Sequence, residues 1–301
     1  MKQVKSSCLL FLAAVIWGIA FVAQSAGMEY VGGYTFNCVR SFIGAAVLLP
    51  YVFIKAGREN GQNRKEKSFF KQNKTLLTGG LCCGVALCVA SNLQQQGIRF
   101  TTVGKAGFIT ALYIVLVPVF GLLFHKRVGK LVWAGLVLAV GGLYFLCINE
   151  AMTIGTGDGL VLLCAVAFSV HILMIDYFSP LVDGVVLSCI QFFVCGMLSA
   201  VPMILFEEVT WSGLGAAAVP ILYAGVMSCG VAYTLHIIGQ KNMNPTVASM
   251  ILSLESVVSV LAGLFILHQK LSQRELFGCL LMFVAVILAQ LPEPRKQKHN
   301  I

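Results

Sequence analysis

Read in windows of about 20 residues, the chain alternates long apolar stretches with short polar punctuation. Ten such stretches can be drawn, over residues 7–24, 34–54, 75–98, 102–124, 130–148, 157–177, 184–206, 213–238, 245–267 and 271–291. Most links between them are short turns marked by Gly, Pro or charge. One hydrophilic loop of any size is expected, over residues 55–74. Each stretch is long enough to cross a bilayer as a helix at 1.5 Å per residue. The expected fold is therefore an all-α integral membrane protein with ten transmembrane helices.

The ninth stretch, with its flanks at residues 244–270, organises the reading. At about 100° per residue, Glu255, Ala248, Ser259, Gly263, Ser256, Ser249 and Ser253 fall within one half of the helix surface. Leu252, Val260, Ile266 and Leu267 interrupt that half. The other half carries Met250, Ile251, Leu254, Val257, Val258, Leu261, Leu264 and Phe265. A small, polar face on a spanning helix can line a cavity or admit another backbone. An acid at mid-depth is expensive there and marks a functional site by default. Glu255 is the one acid clearly near the middle of any stretch.

The same pattern has an earlier echo. When residues 111–135 are set beside 254–278, His125 falls on His268, Arg127 on Lys270 and Gly135 on Gly278. A weak internal repeat at half the chain length is a mark of duplicated transporter folds. The expected domains are 1–150 and 151–301, each a five-helix repeat, inverted with respect to each other.

Composition agrees. Hydrophobic residues make up 58% and charged residues 11%, with mean hydropathy +0.88, against roughly 25% charge in a soluble domain. The net charge of +9 is placed unevenly. Lys2, Lys5, Lys55, Arg58, Arg64, Lys65, Lys67, Lys71, Lys74, Lys126, Arg127, Lys130, Arg295, Lys296 and Lys298 all fall on one side of a ten-span chain. The positive-inside rule makes that side cytoplasmic, with both termini there. The inverted arrangement puts 125–130 in the cytoplasm and 268–274 outside. Basic residues beside spans are topology signals, so no nucleic-acid partner is expected. Residues 1–25 have the basic start and apolar core of a secretory signal peptide. Cleavage there would break the repeat, so this stretch is read as a retained first helix. The eleven Cys form no metal-ligand pattern and act as small apolar residues. No metal and no cofactor are expected.

Other polar residues within the stretches are candidates for a central site. The first contains Trp17-Gly18, followed by Phe21 and Gln24. Arg40, near the outer end of the second, should snorkel or pair, with Glu29 as candidate partner. Gly80 and Gly84 have close-packing spacing. The run Ser91-Asn92-Leu93-Gln94-Gln95-Gln96 places Asn92 deepest, as a cavity-facing donor or at a wet interface. Thr110, Tyr113 and Pro118 lie in the fourth stretch, and Pro118 frees a carbonyl. The sixth contains Ser169, His171 and Asp176; the eighth contains Ser228, Tyr233 and His236. Asp158 sits in a Gly-rich turn before the sixth and suits a helix start. The fifth and tenth have no interior charge and read as peripheral. The substrate and coupling cavity is assigned to Glu255, Ser256, Ser259, Asn92, Tyr113, His236, Trp17 and His171.

Taken together, Trp17-Gly18 with Phe21, Arg40, residues 103–108, residues 245–249, and Leu254-Glu255-Ser256-Val257-Val258 leading to His268-Gln269-Lys270-Leu271-Ser272 resemble the drug/metabolite transporter superfamily, EamA-type. Ser256 stands where the family commonly has proline, which predicts a straighter ninth helix. Leu112 aligns with Glu255, so the first copy lacks the acid. Phe168 replaces the tryptophan expected opposite Trp17. The resemblance implies ten helices in two inverted halves, alternating access, peripheral fifth and tenth helices, and a small-molecule substrate. A bacterial plasma membrane and a homodimer are consistent with it. The expected function is secondary export of a small organic metabolite, proton-coupled or exchange-driven. An oligomeric channel for small solutes or ions is the alternative, and it would need a ring of similar groups. An enzyme is not expected: His171 and Asp176 do not share a helix face, no His-Glu-x-x-His occurs, and no phosphate loop is present.

Overall fold

A computed structural model of the protein describes residues 2–60, 66–101, 103–123, 128–147, 155–241, 243–266 and 272–291, and all regular structure among these is helical. The first half contains α1 (Lys2–Gly27), α2 (Gly33–Asn60), α3 (Glu66–Ile98), α4 (Val103–Ala111), α5 (Tyr113–Leu123) and α6 (Lys130–Cys147). The second half contains α7 (Thr156–Phe178), α8 (Gly184–Phe206), the short α9 (Trp211–Ala216) and α10 (Ala218–Leu222), a π-helical segment (Tyr223–Ala232), and α11 (Tyr233–Gln240). It ends with α12 (Pro245–Leu252), α13 (Leu254–Ile266) and α14 (Gln273–Gln290). The paired His125 and His268, with Arg127, Lys270, Lys126 and Gln269, lie outside the described residues.

Among the described residues, eight helical segments are long and apolar enough to cross a membrane, and two shorter apolar helices cover Lys130–Phe145 and Leu276–Gln290. The surface is inverted relative to a soluble protein. Val137, Ile204, Phe206 and Phe265 stand exposed, while Asn37, Gln95, Ser169, Gln191 and Gln240 are buried. Lipid tolerates the first set, and the second must find hydrogen bonds inside the bundle. The expected loop over 55–74 is a correction: α2 runs on to Asn60 and α3 begins at Glu66, so helix occupies most of it.

Local chemistry explains several helix ends. Asp183 caps α8, its carboxylate accepting from the Val185 and Val186 N–H groups at 2.9 and 3.0 Å. Asn244 caps α12, accepting from the Thr246 N–H at 2.9 Å, and Pro245 follows in the first turn, where its missing N–H costs nothing. Asp158, in the first turn of α7, accepts from the Gly155 N–H at 2.9 Å and from the Thr101 hydroxyl at 2.5 Å, which ties the start of α7 to the end of α3.

Two spans are interrupted in mid-membrane: α4 gives way to α5 at Leu112, and α12 to α13 at Ser253. Pro118 sits inside α5 and removes a donor from it. The second break needs no proline. Ser249, Ser253, Ser256 and Ser259 each donate through the hydroxyl to the carbonyl three residues back, at 2.6–2.8 Å. Such back-bonding competes with the helix ladder and bends it. The ninth span, expected to be straighter for having Ser256 in place of proline, is interrupted at Ser253. A third irregularity is the π segment, where the Tyr233 N–H reaches the Ser228 carbonyl five residues back.

Packing pairs the halves. The pairs are α6 with α14, α2 with α8, α3 with α7, α3 with α8, α1 with α11, α2 with the π segment, α1 with α12 and α13, and α4 and α5 with α7. Counted as spans in chain order, each pair maps onto another of the set, or onto itself, when the two halves are exchanged. Close approach depends on missing side chains. A Cβ at Gly84 would lie 2.7 Å from the Val194 Cβ and 2.9 Å from the Gln191 carbonyl, so α3 seats against α8 only because that position is glycine. Helices α6 and α14 pack on one another and on α12, with Leu136, Ala139, Met282 and Ala285 buried between them. They contribute nothing to the cavity described next.

Candidate functional site

A cavity opens where the two interrupted spans, the π segment, α1, α2, α3, α7 and α11 converge. Its walls are Trp17, Phe21, Gln24, Arg40, Gln94, Thr110, Tyr113, Phe168, His171, Ile172, Ser228, Tyr233, His236, Leu252 and Glu255. Each irregularity of the helices delivers residues here. Thr110 and Tyr113 flank the break at Leu112, and Leu252 and Glu255 flank the break at Ser253. Ser228 and Tyr233 are the two ends of the π-type hydrogen bond. Backbone irregularity is tolerated at membrane depth where it borders a cavity.

Glu255 is 5% exposed, and its carboxyl accepts a 3.0 Å hydrogen bond from the Tyr113 hydroxyl, across from α5 to α13. Its backbone is held by α1. A Cβ at Gly18 would stand 2.7 Å from the Glu255 carbonyl oxygen and 2.5 Å from the Val258 Cβ. The Trp17-Gly18 pair therefore has two uses. Gly18 lets the helices meet, and Trp17 lies on the cavity wall with its ring centroid 4.5 Å from that of Tyr233 and 5.5 Å from that of His236.

The two histidines share a wall, with ring centroids 6.3 Å apart. His171 Nε2 is 3.1 Å from the Gln191 side-chain oxygen, and His236 Nε2 is 2.6 Å from the Gln240 side-chain oxygen. Gln240 in turn donates to the Ile172 carbonyl at 2.8 Å. These bonds close the cavity wall between α7, α8 and α11.

The expected site residues thus divide. Glu255, Tyr113, Trp17, His171 and His236 come together on one cavity. Asn92, Ser256 and Ser259 are not among its lining residues. The Asn92 amide nitrogen donates to Ser199 Oγ at 2.8 Å and to the Cys88 carbonyl at 2.9 Å, and its oxygen accepts from Asn37 at 3.0 Å. It belongs to a polar seam joining α2, α3 and α8. The Ser256 and Ser259 hydroxyls are bonded within their own helix.

Arg40 departs most from expectation. It is 6% exposed, lines the cavity, and makes no ion pair with Glu29, which stands at the surface. The sequence signal was present, because a charge within a span is a site hypothesis by default. Its nearness to the outer end disguised it as an interfacial anchor.

At the ends of their spans, α2 and α8 are clasped twice. At one end the Glu207 carboxylate accepts from the Tyr34 and Thr35 N–H groups at 2.9 and 2.7 Å and from the Thr35 hydroxyl at 2.8 Å. That is a favourable place for an anion, at a helix N-terminus. At the other end Lys55 Nζ lies 2.6 Å from the Asp183 carboxylate. Partial burial pushes the Asp183 carboxyl up. The Lys55 hydrogen bond and charge and the Val186 and Val185 N–H groups outweigh this and hold it below the ordinary carboxylate value.

The EamA-like transporter family matches the chain twice, over residues 4–148 and 155–291. The chain belongs to the EamA-like transporter family. It is a multi-pass membrane transporter, acting on a small molecule within a lipid environment. An uncharacterized transporter of Archaeoglobus fulgidus is 30% identical over 96% of this chain and 87% of its own length. The uncharacterized transporter YoaV of Bacillus subtilis is 23% identical over 95% of this chain and 97% of its own. A chloroplastic WAT1-related protein of Arabidopsis thaliana is 23% identical over 92% of this chain and 67% of its own. A solved crystal structure at 20% identity superposes with TM-score 0.75, covering 95% of this chain and 98% of the other, which is a likeness of fold.

Proposed function

We propose that this EamA-like protein is a secondary transporter that exports a small organic metabolite by alternating access. We read it as ten spans in two inverted five-helix repeats, with both termini in the cytoplasm. The cavity around Glu255 is the substrate and coupling site. The observation that carries this reading is the convergence of both interrupted spans on one cavity that contains the single mid-membrane acid. Discontinuous helices meeting at the repeat interface are the usual construction of transporter sites. Closure of the packing pairs under exchange of the halves supports the inverted repeat, as does the double family match.

Glu255 serves as carrier of a coupling proton or as anchor for a cationic group of the substrate. Tyr113 supplies a hydrogen bond that crosses the cavity and can be released when the halves rock. Glu255→Gln preserves shape and an acceptor but cannot ionise. In proteoliposomes loaded with candidate metabolites, the variant should lose gradient-driven transport and its pH dependence by at least about tenfold. A proton carrier so changed keeps substrate exchange, whereas a substrate anchor loses affinity at every pH. A variant that inserts normally and transports like the wild type across the pH range overturns the assignment. Steady conductance without saturation would favour a channel.

A further inference from the structure

Arg40 sits on α2 seven residues after its start, about 10 Å along the helix axis. Its side chain is nine-tenths buried and borders the cavity. Among the described residues it makes no hydrogen bond or ion pair with any side chain. Its closest ring contact is Phe36 of its own helix, 5.6 Å from the guanidinium carbon to the ring centroid. The titratable groups that feel its charge are Cys195 on α8, Cys229 on the π segment and Tyr233 on α11. None is a carboxylate. Buried or half-buried acids are occupied elsewhere: Glu207 on the start of α2, Asp158 on Thr101 and Gly155, and Glu255 on Tyr113. An isolated buried cation is costly unless something compensates it. A guanidinium keeps its charge and offers five N–H donors in a planar fork that fits a carboxylate by two parallel bonds.

We infer that Arg40 is the anchor for a carboxylate of the transported molecule, so that the substrate is a small organic acid. The inference rests on the reading of this cavity as a transport site and names the class of molecule it takes. Further features of the same lining agree. The Trp17 Nε1–H is buried without a partner, and the Tyr233 hydroxyl makes no hydrogen bond among the described residues. Both are further donors for an acceptor-rich ligand. Phe21, Phe168 and the paired rings of Trp17 and Tyr233 offer an apolar wall for the body of the acid.

The test uses the purified full-length chain and matched acid and amide probes: phenylacetate with phenylacetamide, and cyclohexanecarboxylate with its carboxamide. Of the three Trp residues, Trp133 and Trp211 are replaced by Phe, leaving Trp17 as a fluorescent reporter in the cavity wall. The acids should change Trp17 emission saturably and raise the melting temperature, at least tenfold more tightly than the amides. Arg40→Gln should weaken the acids at least tenfold and leave the amides unchanged. Arg40→Lys, which keeps the charge but not the fork, should fall between. Because Arg40→Gln removes a buried unpartnered charge, its melting temperature without ligand should be equal to or above the wild type; a structural anchor would lower it. Acids that bind no more tightly than amides, acids that bind Arg40→Gln like the wild type, or no binding by any acid would each overturn the inference. If Arg40→Gln fails to fold, Arg40→Lys decides, and wild-type affinity for the acids in that variant is a negative result. Counterflow in proteoliposomes separates the two levels. Saturable exchange of an amide that is indifferent to Arg40 keeps the transporter and removes the acid site. Acid binding without any exchange keeps the site and removes the transporter reading.

Discussion

The break between α4 and α5 and the break between α12 and α13 occupy corresponding places in the two halves, yet they are made differently. The first carries no charge around Leu112 and has a proline, Pro118, a turn and a half further on. The second is made by serine hydroxyls that bond carbonyls of their own helix, and it presents an acid beside the gap. One geometry has been reached by two chemistries, and only the second leaves an ionisable group at the centre. The cavity is therefore asymmetric in charge although its scaffold repeats: a carboxyl comes from the second half, and Tyr113 and Arg40 come from the first. Duplication can supply the frame while later substitution gives the two sides different work.

The most severe way to break the comparison is to remove the contact that holds the acid-bearing break in place. Gly18→Leu puts a side chain where the Glu255 carbonyl and Val258 already stand. Overpacking of this kind costs about 1–3 kcal/mol. The melting temperature of the purified variant should fall by several degrees and transport should be lost with it; an unchanged melting temperature would refute the close approach of α1 and α13.

Tyr113→Phe cuts the one hydrogen bond that, among the described residues, links the two breaks directly. Leaving a buried partner unsatisfied costs about 1–3 kcal/mol. We expect a fall in melting temperature no larger than for Gly18→Leu, with transport reduced but measurable. Full activity in Tyr113→Phe would separate Glu255 from the first half.

Replacing Ser253 and Ser256 together by Ala sharpens the chemical contrast. Alanine restores the best helix former and frees the back-bonded carbonyls, each change being worth about 0.5 kcal/mol. Stability should change by less than about 1 kcal/mol while transport drops, because the second break straightens. Spin-label distances across α12 and α13 that match the wild type would show that the serines do not cause the bend.

The smallest effect is expected at the clasp of α2 and α8. The Asp183 carboxyl is held below its ordinary value. Its contribution is therefore complete above the unfolded value of about 4, and it is lost as pH falls through the lower folded one. Asp183→Asn at neutral pH should cost about 0.2–1 kcal/mol, since the pair with Lys55 is partly solvated. The variant should also lose part of the wild type's drop in melting temperature on acidification, and an identical acid profile would exclude the clasp.

Hydropathy along the chain was enough to show an all-α membrane protein, because the bilayer imposes a length and a polarity that any sequence must meet. It also separated the cavity-forming helices from α6 and α14, whose interiors carry no charge. Glu255 stood out for the same reason, as the one acid at mid-depth. Helical phase further showed that one side of the ninth span is small and polar. It could not say which of those polar groups would be consumed by the helix itself, and Ser256 and Ser259 are. Nor could it say which neighbour each face would meet. Asn92 turned to Asn37 and Ser199 rather than to Glu255, and Tyr113 took the bond. Arg40 was visible as a charge within a span, but its direction depends on the seating of α2 against the π segment and α8. The π segment itself left no mark in the pattern, since ten apolar and small residues suit either winding. Burial depth and composition are properties of single segments and can be read one at a time. The direction in which a side chain points, and what it touches, are set by contacts between segments far apart in the chain, and only the packed bundle decides them.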